Sequence, residues 1–427
     1  MIRFAIVKMS KVDVPRWPSA STDTRRLAEP IVFPFSKRTA PNRFLKAATS
    51  EHLAIFDPVN LEKRGIPSPE LVHFYSVFGK GGWGQILTGN IQISYTDLEG
   101  PGNAIIPPDA EFSGPRFEAF AALAAAGKSN GSLIVGQVSH PGRQAPEALQ
   151  PHPISASAVQ LVTPGNGPFG VPRVANKQDL DNVIESFAHA AEYLERAGFD
   201  GIELHGAHGY LLAQFLSQVT NQRTDEYGGS LENRMRLVLE VAAAVKKRVS
   251  ESFILGIKVN SVEFQEKGFT SEEAVVLCQA LEKAGFDYVE TSGGTYEDFA
   301  FEHKKDSTKK RENYFVEFAE RIRKAVTQTK VYTTGGLRTV GGMNSTLEGV
   351  DGIGIGRAGI YEPSFAGDIL SGKITGAKQP AVSELDFPSQ LGLASYVANL
   401  VGRGEDLPDV TDPGVTEGIF AKLAKQQ

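Results

Sequence analysis

Short apolar runs recur eight times along this chain, with longer amphipathic stretches between them, and no other property narrows the fold as far. The runs are Arg43 to Ser50, Gly84 to Ser94, Leu133 to His140, Gly201 to His208, Phe253 to Ser261, Tyr288 to Gly294, Lys330 to Leu337 and Gly352 to Ala358. Several show no polar alternation; Phe253-Ile254-Leu255-Gly256-Ile257 reads as a parallel strand covered on both faces. The stretches between read as helices. Val183, Ile184, Phe187, Ala191 and Leu194 share one face, as do Met235, Val238, Ala242 and Val245. Ser68-Pro69 and Thr270-Ser271-Glu272-Glu273 carry helix-start signals, an N-cap before proline and a capping box. Eight strand–helix repeats without a run of hairpins predict an α/β fold, a (β/α)8 TIM barrel, with a doubly wound open sheet as the alternative.

At 427 residues the chain exceeds the roughly 250 of a typical barrel, so the surplus must sit in insertions or extensions. The reading is one domain over 1–427, with a barrel core at about 42–370 and a Gly/Pro-punctuated C-terminal extension over 371–427. Between Pro141 and Gln178 there are seven prolines and no helical period. This predicts a long loop insertion after strand three, placed over the barrel mouth as a substrate lid.

Hydrophobic residues make up 41% and charged residues 22%, which suits a packed globular protein. The formal charge of −6 is small and carries no long block of one sign, so no grip on nucleic acid or anionic lipid is expected. Cys278 is the only cysteine, which excludes an intramolecular disulfide and a cysteine-ligated iron–sulfur cluster. No apolar run approaches the roughly 20 residues that cross a bilayer, and Met1 to Ser10 is too short, and too soon followed by Asp13, for a signal peptide. A cytoplasmic protein is expected, and a homo-oligomer is compatible with everything in the sequence.

Barrel enzymes carry their chemistry at the C-terminal ends of strands. Strand three ends Gly136-Gln137-Val138-Ser139-His140, and strand four ends Glu203-Leu204-His205-Gly206-Ala207-His208-Gly209-Tyr210. Two imidazoles three residues apart, followed by a tyrosine, could converge on one carbonyl oxygen while the phenol reaches the adjacent carbon. A metal site and histidines that merely satisfy hydrogen bonds are the competing readings; no third ligand is evident. Strands seven and eight end in Thr334-Gly335-Gly336-Leu337-Arg338 and Gly352-Ile353-Gly354-Ile355-Gly356-Arg357, where barrels often bind phosphate. Gly354, Gly356 and Gly359 also spell a dinucleotide fingerprint, but only 68 residues follow and no further strand–helix units are evident.

Taken together, these pieces resemble the Old Yellow Enzyme family of FMN-dependent ene reductases, in its two-histidine branch. The resemblance runs from about Asn42 to Pro363. It includes Asn42-Arg43-Phe44-Leu45-Lys46-Ala47-Ala48-Thr49-Ser50, Gly89-Asn90, Gly136-Gln137, His205 to Tyr210, Gln214 to Arg236 with Asp225-Glu226-Tyr227-Gly228-Gly229-Ser230, and Gly356-Arg357. It implies that Ala48, Thr49, Ser50 and the backbone around Asn90 contact the flavin ring, and that Gln137 bonds its pyrimidine edge. Lys258 would face N1 and O2, and Gly335, Gly336, Gly356 and Arg357 would hold the phosphate. Ser50 stands where many relatives carry threonine or cysteine, and Lys258 where many carry arginine. His205 and His208 would bind the substrate carbonyl and Tyr210 would supply a proton.

The implied activity is ping-pong reduction of a small activated alkene by NADH or NADPH through bound FMN, with no metal. A flavin-free aldolase or isomerase acting on a phosphorylated substrate, with Lys258 as a Schiff-base lysine, is the alternative. A non-catalytic flavin-binding protein is a third reading.

Overall fold

The computed structural model describes residues 14–163, 167–260, 268–292, 318–383 and 386–425. Eight strands form its centre: β1 (Phe44–Lys46), β2 (Gln85–Gln92), β3 (Leu133–Ser139), β4 (Gly201–Gly206), β5 (Ile254–Asn260), β6 (Tyr288–Ser292), β7 (Lys330–Thr334) and β8 (Gly352–Ile355). Each pairs in parallel with its neighbours, and β1 pairs with both β8 and β2, so the sheet closes into a barrel. The open sheet is thereby excluded. Every run read as a strand contains one, trimmed at the ends; Ser261 of the fifth and Gly294 of the sixth lie outside the described residues, as does Met1 to Ser10.

The lower barrel is filled by Leu45, Leu87, Val135, Ile254, Tyr288 and Tyr332 and closed from below by Ile31, Phe33 and Ala40. These last lie in and beside a short antiparallel pair, Ile31–Val32 with Thr39–Ala40. Asp287, just before β6, fixes it by accepting from the amides of Phe35 and Ser36 at 2.9 Å each. Two strand glycines make room for the tyrosines. Gly256 is the register partner of Tyr288 and Gly352 that of Tyr332. A Cβ on Gly256 would fall 2.1 Å from the Tyr288 ring, and one on Gly352 2.2 Å from the Tyr332 ring.

Outside run the amphipathic helices α1 (Pro69–Gly79), α2 (Gly114–Gly127), α3 (Lys177–Arg196), α4 (Leu231–Lys246), α5 (Ser271–Lys283) and α6 (Val340–Thr346). The start signals operate as read: Ser68 accepts from Leu71 N before Pro69, and Thr270 and Glu273 form a reciprocal capping box. After the barrel, α7 (Phe387–Arg403) packs on α1 and on the short helix Arg357–Tyr361, and α8 (Pro413–Leu423) packs on α7. Among the described residues no helix is long and apolar enough to cross a membrane.

The long insertion after β3 is present, but it does not lie where a lid would. None of its described residues lines the central cavity. It is tied instead to the segment after β4: Ser155 Oγ donates to Gln214 at 2.9 Å, and Arg223 donates to the carbonyls of Ala156 and Ala175. Those buried polar ties set its course.

Filling the space kept by Gly256 should cost about 1–3 kcal/mol, the range for overpacked cores. Urea unfolding of Gly256→Ala should show a lower midpoint than the wild type; an equal midpoint would mean that the Tyr288 ring yields freely.

Candidate functional site

The C-terminal ends of the strands open into a cavity of about 570 Å³. Every residue picked out from the sequence lines it: Ala48, Thr49, Ser50, Asn90, Gln137, His205, His208, Tyr210, Lys258, Gly335, Gly336, Gly356 and Arg357. They come from seven strands or the turns after them, and barrel closure brings them together.

The chain leaves β4 through a sharp reversal. His208 and Gly209 both have left-handed backbones, at φ 56° and 77°, and Tyr210 then caps the short helix Leu211–Leu216. Such a conformation is unusual for a histidine. It is held by Asn260, whose Oδ1 accepts from His208 N at 3.0 Å. The turn folds three rings into one cluster, with His205 at 5.3 Å from His208 and 4.4 Å from Tyr210 between centroids, both edge-on. His208 Nε2 lies 2.9 Å from Ser292 Oγ at the end of β6, while Nδ1 of His205 is buried without a partner.

Both imidazoles are neutral near pH 7. Burial, reinforced by the Lys258 cation, brings His205 down to about 3 and His208 well below its ordinary value. They can therefore act as N–H donors toward an oxygen but not as cations.

Beneath this cluster lies a layer of buried charge. Lys258 Nζ is paired with Glu290 Oε1 at 2.8 Å, and Gln137 Nε2 donates to Glu203 Oε1 at 2.7 Å. Burial, with the charge of Glu290 close by, drives Glu203 well above the carboxylate range, so one carboxyl stays protonated while the other balances the lysine. Lys258 is thus held against a carboxylate rather than projecting unpaired into the cavity.

At the far ends of β7 and β8, Gly335 and Gly336 have φ of 143° and 65°. A Cβ built on Gly335 or Gly356 would meet nothing within 4 Å, so the backbone is bare toward the cavity. Arg357 Nη1 donates to Gln390 Oε1 of α7, and residues 377–380 with Leu391, Ala394 and Ala398 complete that wall. Among the described residues no three His, Cys, Asp or Glu side chains come together as a metal site.

Several site residues escape the reading of strand ends. Glu99 comes from the loop after β2 and reaches Tyr210; Ser292, Trp17 and Gln390 also line the cavity. Glu203 and Glu290 were within reach: Glu203 precedes His205 by two and so shares its face, and Glu290 is the register partner of Lys258.

Comparison with known proteins gives this geometry its context. A family model described as "NADH:flavin oxidoreductase / NADH oxidase family" matches residues 28–375. The chain belongs to that family. It is the Old Yellow Enzyme family of the resemblance, and the protein is an NAD(P)H-dependent flavin oxidoreductase. The "NADH-dependent flavin oxidoreductase nadA" of Aspergillus parasiticus is 47% identical over 94% of this chain and 91% of its own length. The "NADH-dependent flavin oxidoreductase iccE" of Talaromyces variabilis is 33% identical over 76% of this chain and 82% of its own. A solved Old Yellow Enzyme homologue from Zymomonas mobilis shares the fold with a TM-score of 0.66 at 22% identity, over 82% of this chain and 94% of its own. Membership of the Old Yellow Enzyme family sets aside both the flavin-free aldolase or isomerase and the non-catalytic reading. Donor chemistry fits a flavin: bare glycine backbone and an arginine for a phosphate, an amide for a ring edge, and a buried cation for a ring that becomes anionic on reduction.

The neutral state of His205 has a consequence for stability. An unfolded histidine titrates near 6.5, whereas His205 takes no proton in the fold until about pH 3. Between those values the unfolded chain binds a proton that the folded one refuses, so stability is full above pH 6.5 and falls as the pH drops toward 3. At about 1.4 kcal/mol per unit, the loss at pH 5 is about 2 kcal/mol. Urea unfolding at pH 7 and pH 5 should show the wild type losing about that much more than His205→Gln; equal losses would mean that His205 is protonated in the fold.

Proposed function

We propose that this chain binds FMN and uses NADH or NADPH to reduce the C=C bond of α,β-unsaturated carbonyl compounds in a ping-pong cycle, both halves occurring in the one cavity. The observation that carries the reading is the ring cluster of His205, His208 and Tyr210, set in the same cavity as Lys258 and the bare glycine corner. Two neutral imidazoles and a phenol are what an enone needs: N–H donors for its oxygen and a proton for its α-carbon.

In this reading Gly335, Gly336, Gly356 and Arg357 would hold the phosphate, Ala48, Thr49, Ser50 and Asn90 would meet the ring, Gln137 would bond its pyrimidine edge, and Lys258 would balance the charge of the reduced ring. The bound flavin supplies hydride to the β-carbon of the alkene. His205 and His208 donate to the carbonyl oxygen and stabilise the charge that grows there, the role of an oxyanion hole. Tyr210 gives its proton to the α-carbon; a phenol of pKa about 10 is matched to a strongly basic developing enolate. The burial of α7 side chains in the same apolar cluster as the outer barrel supports treating the chain as one domain. A cytoplasmic setting is in keeping with the lone, buried Cys278.

The test is an anaerobic titration. Purified protein should be yellow, be bleached by NADH or NADPH, and regain its colour with cyclohexenone or a maleimide. Tyr210→Phe should slow the return of colour with cyclohexenone by about 10²–10⁴-fold, the usual worth of a positioned general acid. Protein that cannot take up FMN, or a Tyr210→Phe variant as fast as the wild type, would overturn the reading.

A further inference from the structure

The Tyr210 hydroxyl is engaged on the side away from the histidines. It donates to Glu99 Oε2 at 2.6 Å, an oxygen that also accepts from Asn90 Nδ2. The other oxygen, Oε1, lies 2.9 Å from His52 Nε2. The Glu99 side chain is 6% exposed and that of His52 is 39% exposed, so the three groups make a continuous line along the cavity wall that ends on an accessible imidazole. His52 is held firmly in that position. Its backbone is left-handed at φ 54°, a conformation that persists only where the surroundings enforce it. Gly102 packs so closely that a Cβ there would fall 2.5 Å from the His52 carbonyl oxygen, and Gly100 lies beside the ring. The alkene chemistry above uses neither Glu99 nor His52.

We propose that Glu99 and His52 are positioning residues that return a proton from solvent to Tyr210 after each turnover, a role that rests on the alkene-reductase reading above. When the C–H bond forms at the α-carbon, the Tyr210 O–H bond breaks and its electron pair stays on the phenolate oxygen. That oxygen then lies 2.6 Å from a carboxylate. Two like charges so close raise each other's proton affinity. The N–H bond of the His52 imidazolium breaks and its proton goes to Oε1. The carboxyl turns about its Cγ–Cδ bond and presents the proton to the phenolate, and water reprotonates the imidazole. No electrons are exchanged; the balance is one proton taken from solvent for each alkene reduced.

The electrostatics match this resting state. Burial disfavours both charges, but the hydrogen bond and mutual attraction outweigh it, holding Glu99 at about 2 and raising His52 above its ordinary value. The other groups facing the line are Ser50, which bonds Glu99; Glu51, which adds to the field on His52 and is itself faced by Lys46; and the neutral His205.

Rapid mixing of the NADH-reduced, flavin-loaded protein with excess cyclohexenone and NADH tests the proposal. His52→Ala should release a first product and then slow, with later turnovers at least about tenfold more impaired than the first, because only reloading is lost. Added imidazole should restore the later turnovers in proportion to its protonated fraction. A merely structural role would slow the first turnover equally and give no such pH dependence. Glu99→Gln, the second variant should His52→Ala not fold, should show the same lag without rescue. Later turnovers as fast as the wild type in both variants would overturn the relay alone. A wild type that NADH bleaches but no enone reoxidises would overturn the alkene reading and the relay with it.

Discussion

Closure of the sheet at β1 is the constraint on which the rest of the molecule depends. Three residues, Phe44 to Lys46, pair with β8 on one side and β2 on the other, joining segments about three hundred positions apart in the chain. Once the circle is complete, all eight strands must end at one rim. Groups as distant in sequence as Ser50, His205 and Arg357 then face a single volume without any special device to gather them. The cost of closure appears in the lower barrel, where two tyrosines and an N-terminal hairpin fill the interior and two strand glycines give up their side chains to admit the rings.

Above that plug the barrel interior becomes polar while its side chains stay buried. Lys258, at the strand-five end of the cavity, is matched by Glu290, while burial and the nearby charge of Glu290 hold Glu203 well above the carboxylate range. Burial likewise keeps His205 and His208 neutral. The two effects are linked: the lysine paired with Glu290 also repels protons from both imidazoles, so two parts of the cavity are tuned by one side chain.

How much of this could be read in advance depends on what each residue obeys. Strands announce themselves because burial on both faces demands uninterrupted apolar residues, and helix starts because unpaired amides demand a cap; Ser68 and Thr270 show both. Histidines, glycines and Lys258 stand at the ends of apolar runs, where barrel geometry places them in the cavity whatever their roles. Glu99 is different. It sits in an irregular loop after β2, and only the folded chain brings it against Tyr210 and His52. The insertion after β3 teaches the complementary lesson. Its prolines say that it is not helical, but its path is tied to Gln214 and Arg223, which lie far along the chain.

The wall built by α7 has an implication for how the protein is made. The ribosome delivers all eight strands before it delivers Phe387–Arg403, and Gln390 on that helix is the partner of Arg357 at the glycine corner. The glycine corner of the cavity is therefore complete only once a segment made after all eight strands has docked. That wall of the cavity is thus supplied by a segment translated after every strand it encloses, a door hung after the room has been built.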